Sequence, residues 1–137
     1  MEVTITRAFE IDYGHRLARH ESKCRNVHGH RGRFEVTLRA KQLDAVGRVI
    51  DFGRAKELLG GWLDVHWDHG FIVQDDDPLV PALKGFALKL YIVNVPPSAE
   101  HLARLFYDVA VQLLPEWVQV LGVRCYETPN CWADYQP

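Results

Sequence analysis

The residues best suited to chemistry gather in "KCRNVHGH", Lys23 to His30. His28 and His30 are one residue apart, so on an extended backbone both imidazoles point to the same side. Gly29 between them lets the chain bend or approach another strand closely. Two such rings can share a zinc ion at about 2.0–2.1 Å each. A lone H-x-H pair is equally an ordinary strand surface, so the reading needs a third ligand. His15 supplies one: it follows Gly14 at the end of the first predicted strand, and a hairpin-like return would bring it beside the pair. His20, His66 and His101 read as surface or locally bonded. Three histidines leave zinc one open position, the arrangement of a catalytic site. Cys24 complicates this. As a fourth ligand it would close the site into a structural one. C-x3-H-x-H, however, lacks the paired knuckles usual there, and Cys24 sits between Lys23 and Arg25, an electropositive setting suited to a reactive thiol. Spacing favours the catalytic arrangement and leaves both readings open.

A thiol acting as base or nucleophile needs a histidine partner and a carboxylate to orient it. "WDHGF" offers Asp68 and His69. Adjacent residues on extended backbone face opposite ways, so this pair can couple only in a bent loop; otherwise it is a helix-to-loop turn with an aspartate cap. Glu127, in "YET" near the end of a predicted strand, could grip a donor-rich heterocycle through two N–H groups, as a carboxylate accepts from a base amino group. It could also be a plain edge-strand charge. Arg25, Arg31, Arg33 and Arg39 form a local basic group that reads either as a solvated strand face or as an anion site.

The elements that must position these residues follow from periodicity. "EVTITRAFEI" alternates as a strand. "RFEVTLRA" is a second, with Phe34, Val36 and Leu38 on one side and Glu35, Thr37 and Arg39 on the other. "DFGRAKELLGGWLDVHW" reads as a short helix starting near Asp51. "VQDDDPLVPALKG" is acidic, broken by prolines, and reads as a loop; "FALKLYIVN" reads as a short strand or extended arm. "PPSAEHLARLFYDVAVQLL" is the clearest helix, with Ser98 as N-cap, Glu100 in the first turn, and an apolar stripe through Leu102, Leu105, Phe106, Val109 and Leu113. "WVQVLGVRCYET" and "NCWADY" supply two closing strands. These elements predict an α+β domain, an antiparallel sheet with helices on one face.

The bulk numbers narrow the class. The chain has 137 residues, 47% hydrophobic and 25% charged, with a net charge of -2. That suits a single domain spanning 1–137 with its own core. A nucleic-acid partner is disfavoured by the charge. No apolar run approaches the roughly 20 residues of a membrane helix, and no export signal is evident. Three cysteines without such a signal are expected to stay unpaired in a reducing cytoplasm.

Taken in order, His15, Cys24, "HGH", "VIDF", "DH", "PPSAE" and "ET" strongly resemble the 6-pyruvoyl-tetrahydropterin synthase / 6-carboxytetrahydropterin synthase (QueD) family, through nearly the whole chain. The four-residue step from Cys24 to His28, and "VIDF" at Val49 to Phe52, look closer to the bacterial QueD branch. The resemblance implies a T-fold: an antiparallel four-stranded sheet with two helices packed on one face, joined edge to edge into trimers or hexamers with active sites between subunits. It implies zinc on His15, His28 and His30, Cys24 as general base, Asp68 and His69 as its relay, and Glu127 as both anchor of the pterin ring and part of the relay. The implied substrate is 7,8-dihydroneopterin triphosphate and the implied product 6-carboxytetrahydropterin. Rival readings are a pyruvoyl-forming or sepiapterin-type enzyme and, from another class, a non-catalytic zinc- or pterin-binding oligomer. The chain departs from the family pattern in a longer, more acidic stretch over 73–97, in "WDHGFIV" in place of a leucine-led "LDH" run, and in Ser98 where threonine is usual.

Overall fold

A computed structural model describes residues 2–137. Strand β1 (Thr4–His15) pairs antiparallel with β2 (His28–Ala40), in register from Thr4 opposite Arg39 to His15 opposite His28. β2 pairs antiparallel with β5 (Val118–Thr128), and β5 with β6 (Cys131–Tyr135). This is the four-stranded antiparallel sheet expected. The sheet continues for two more strands, in the order β4-β3-β1-β2-β5-β6. β3 (Gly70–Gln74) runs parallel to the end of β1, and β4 (Leu90–Val93) runs parallel to β3. The expected strand count of four is therefore corrected to six. The cause is the helical crossover after β2, which returns the chain to the β1 side pointing the same way as β1.

Period-2 alternation builds the core. Phe9, Ile11 and Tyr13 on β1 and Phe34, Val36 and Leu38 on β2 are buried, while their neighbours face outward. On β5 the buried positions are Val118 and Val120, then Val123 and Cys125. The change of parity is absorbed where Thr37 opposes Gly122 but Leu38 opposes Val120, a bulge that leaves Leu121 unpaired and keeps both halves of β5 aimed inward. Helices cover this face. α1 (Phe52–Ala55) passes through a π-helical turn (Lys56–Gly60) into α2 (Gly61–His66), with Asp51 accepting from the Arg54 amide at 3.1 Å as N-cap. Leu59 and Leu63 face the sheet, and Trp67, just beyond, is fully buried. α4 (Ala99–Leu113) starts where Ser98 accepts from the His101 amide at 3.2 Å, and buries Leu102, Ala103, Phe106 and Ala110. Phe34, Trp67 and Phe106 form the aromatic centre, with ring centroids 5.4–6.0 Å apart.

Gly32 sits within the core-facing row of β2. A Cβ there would meet Tyr13 Cε1 at 2.5 Å, so the Tyr13 ring occupies the space a side chain would need. Gly32→Ala is expected to cost about 1–3 kcal/mol, read as a lower denaturant midpoint with an unchanged slope.

The acidic stretch is more structured than a loop. Asp77 is buried, α3 (Leu79–Lys84) follows, and β4 completes the sheet edge. Pro81 falls in the first turn of α3, where its missing N–H is not needed. The Arg16 guanidinium holds the Asp77 carboxyl below the usual carboxylate range, against the opposing effect of burial. A depressed carboxylate stabilises fully above its unfolded value, about 3.9, and that contribution is lost as pH falls through the folded value. The stability gap between wild type and Asp77→Asn is thus expected to be widest near neutrality and to close below about pH 4 in denaturation curves taken across the acid range. Among the described residues no helix is long and apolar enough to cross a membrane, and Cys24, Cys125 and Cys131 are all free.

Candidate active site

The rows that build the core run on, at one end of the sheet, into a cluster of polar groups. His15 continues the inward series of Ile11 and Tyr13. His28 and His30 precede Phe34 on the core-facing side of β2, and Glu127 follows Cys125 on β5. The register that sets His15 opposite His28 brings the three imidazoles together, with ring centroids 4.7–5.0 Å apart and one ligating nitrogen from each within 4.8 Å of the others. Gly29 lies so close to β1 that a Cβ would stand 3.0 Å from the Tyr13 carbonyl oxygen.

The ring orientations suit a metal. His15 Nδ1 lies 2.7 Å from the Pro97 carbonyl and His28 Nδ1 lies 2.7 Å from that of Asn26. A carbonyl only accepts, so both Nδ1 atoms carry the proton and both Nε2 atoms keep a lone pair. His28 Nε2 is buried without a hydrogen-bond partner, an orphan that a metal ion would satisfy. His15 Nε2 and His30 Nε2 are 3.2 Å apart. Two ligands on a tetrahedral ion with bonds of about 2.0–2.1 Å stand about 3.3 Å apart, so the spacing fits. Burial pulls the His15 and His30 pKa values below the ordinary imidazole value, which keeps both neutral, the ligating form, at pH 7.

Asp68 and His69 do couple. His69 adopts a left-handed backbone, φ 57°, rare for a residue with a side chain. That bend lets Nδ1 of His69 reach Asp68 Oδ2 at 2.9 Å. Asp12 of β1 holds the bend: its amide donates to Asp68 Oδ1 at 2.9 Å and its carbonyl accepts from the His69 amide at 2.6 Å. Burial alone would raise the Asp68 pKa; the Asp12 amide and the His69 ring outweigh it and hold the carboxyl below its usual range. His69, 74% exposed at its side chain, lines an open cleft of about 600 Å³ together with His28, His30, Tyr13, Arg31 and Lys89. Asp12 was not singled out by sequence because an acid on the outward side of a strand carries no signal of its own. The Pro97 carbonyl had only the "PPSAE" motif to mark it.

Glu127 reaches the cluster, with Oε1 3.5 Å from His30 Nε2. Cys24 does not. It lies half-buried on a one-turn 3-10 helix (Lys23–Arg25), outside the three-histidine group, and it does not line the cleft that holds His69. Arg31, Arg33 and Arg39 each pair with a carboxylate, those of Asp12, Glu35 and Glu2, as a solvated strand face does.

A six-stranded sheet backed by helices, with three histidines converging where its first two strands meet, defines a family, and the chain belongs to it: the 6-pyruvoyl tetrahydropterin synthase family, whose profile matches residues 4–137. The relatives narrow this further. The 6-carboxy-5,6,7,8-tetrahydropterin synthase of Rickettsia bellii is 34% identical over 139 residues, covering 96% of this chain and 99% of its own. Among solved structures, an uncharacterized protein from Wolinella succinogenes superposes with a TM-score of 0.86 at 25% identity, covering 99% of this chain and 98% of its own. The 6-pyruvoyl tetrahydropterin synthase of Caenorhabditis elegans superposes with a TM-score of 0.71, covering 100% of this chain and 96% of its own; at 23% identity it speaks to the fold alone. The T-fold expectation holds.

Proposed function

We propose that this chain is a 6-carboxy-5,6,7,8-tetrahydropterin synthase that converts 7,8-dihydroneopterin triphosphate and one water to 6-carboxytetrahydropterin, acetaldehyde and triphosphate, a cytoplasmic step toward queuosine and other 7-deazapurines. The observation that carries the reading is the three-histidine cluster, two of whose members, His28 and His30, line one cleft with His69, the hydrogen-bond partner of Asp68. It occurs in a chain about a third identical, over nearly its full length, to synthases of that name. His15, His28 and His30 are assigned to zinc, which when bound would act as a Lewis acid on the substrate's side-chain hydroxyls. Pro97 and Asn26 orient two of the rings through their Nδ1 protons. Glu127 anchors the pterin ring by accepting from its N–H groups and also belongs to the relay. Cys24 is the general base, and His69, held in one tautomer by Asp68, passes protons between side-chain carbons and ring. Lys23 and Arg25 hold the departing triphosphate. An Arg25→Ala variant with an unchanged KM would remove that last role.

We further propose a trimer or hexamer with the site between subunits. Two observations support it. Cys24 and His69 do not share a cleft within one chain, and β4 and β6 end the sheet with unpaired edges.

Product analysis tests the main reading. Zinc-loaded protein incubated with dihydroneopterin triphosphate is expected to release acetaldehyde and 6-carboxytetrahydropterin. A 6-pyruvoyl product without acetaldehyde would identify the pyruvoyl-forming activity instead, and no turnover by a zinc-loaded oligomer would favour a binding protein.

A further inference from the structure

The segment between β1 and β2 carries Cys24, and it is held from outside. Its neck is closed by the Leu17 amide donating to the Cys24 carbonyl at 2.9 Å. Arg16, next to His15, spans the segment. Its Nη1 donates to the Arg25 carbonyl at 3.4 Å, while Nε and Nη2 grip the Asp77 carboxylate at 2.7 and 2.5 Å. Asp77 Oδ1 also accepts from the Leu79 amide at 2.9 Å. The Asp77 side chain is 1% exposed and that of Arg16 20%. One buried carboxylate thus collects three donors, from an acidic stretch that has no part in the proposed chemistry. The neighbouring pair, Arg19 with Asp76, is 82% and 54% exposed and contributes little.

A buried ion pair is a poor stabiliser, because desolvation offsets much of the attraction. What it supplies is geometry. A guanidinium gripped by two nitrogens is fixed in plane and direction, and shielding from water keeps it so. We infer that Asp77 is a positioning residue for Cys24: through its two-pronged hold on Arg16 it fixes the turn Lys23–Arg25, and with it the thiol. The inference rests on the proposed role of Cys24 as general base.

The test compares Asp77→Asn, Arg16→Lys and the control Asp76→Asn as zinc-loaded full-length protein. The readouts are kcat and KM for dihydroneopterin triphosphate, bound zinc, and the iodoacetamide alkylation rate of each cysteine. Cys125, fully buried, reports global opening, and Cys131, exposed, is the reference. The expected result for both pair variants is a kcat lower by about tenfold or more, with bound zinc held within about twofold and any rise in KM no larger than that of Arg25→Ala, since Lys23 and Arg25 ride on the same turn. Cys24 alkylation should rise several-fold while Cys125 stays protected. Asp76→Asn should match wild type. Should Asp77→Asn fail to fold, Arg16→Lys, which keeps the charge and loses the fork, gives the same readouts. Folded pair variants with wild-type kcat and wild-type Cys24 alkylation overturn the inference. So does a parallel rise at Cys24 and Cys125, which marks a purely global role. If Cys24→Ala is inactive while both pair variants turn over normally, this inference fails and the proposed function survives. If Cys24→Ala turns over normally, the assignment of Cys24 fails and takes this inference with it.

Discussion

Cys24→Ala is expected to keep its metal and to lose about 10²- to 10⁴-fold in kcat, the range of general acid–base catalysis. The metal is retained because the thiol stands outside the group formed by His15, His28 and His30, whose ring nitrogens converge without it. Turnover is lost because the proposed proton transfers need a base, and the Asp68–His69 pair, though intact, is assigned to relaying that proton rather than abstracting it. Bound zinc per chain and kcat, measured on one preparation, decide the matter. Loss of zinc together with activity would make Cys24 a ligand and the centre structural. Full activity would remove Cys24 from the chemistry.

The complementary variant is His28→Ala, which is expected to lose metal and turnover together. His28 Nε2 is buried with no hydrogen-bond partner while its Nδ1 proton is committed to the Asn26 carbonyl. A buried unsatisfied nitrogen costs about 1–3 kcal/mol, a penalty that a metal bond would relieve. Removing a ligand should weaken zinc binding by more than the roughly 10–100-fold typical of losing a group that merely orients one. The metal-free variant should be nearly as stable as metal-free wild type, because the unsatisfied nitrogen goes with the ring. A thermal scan with and without zinc reads both expectations. Wild type should gain Tm with zinc by mass action and the variant should not. A zinc-dependent gain that persists in His28→Ala would show that the ion sits elsewhere.

The three-histidine grouping was legible in the sequence from the H-x-H spacing and a hairpin-like return, and the structure extends the strand alternation to it. Residues 28 and 30 share a side with 34, 36 and 38, and residue 15 shares a side with 9, 11 and 13. Only the hairpin register was needed to join them. The coupling of Asp68 to His69 was not legible, because it depends on a left-handed backbone at His69 itself. Nothing in the sequence marks a histidine for that conformation; Gly70 beside it is the residue one would choose. The antiparallel strands were readable by alternation, as was the N-cap at Ser98. β3 was not. "GFIVQ" is buried without alternation, and such a short apolar run has no period that separates strand from helix or loop. The acidic stretch hid α3 because Pro78 and Pro81 suggest a break, whereas one stands just before the helix, whose first amide donates to Asp77, and the other lies in its first turn.

The contact between Gly32 and Tyr13 has a consequence for how this chain can vary. Two neighbouring strands share a single volume there, and this chain has placed all of it on β1. A relative with a bulky side chain at the position of Gly32 is expected to carry a small one at the position of Tyr13. Enlarging position 32 alone produces a clash, and shrinking position 13 alone leaves a cavity beside the histidines. Drift between the two solutions is therefore expected to require paired replacement, and these two positions, one on each strand, should vary together.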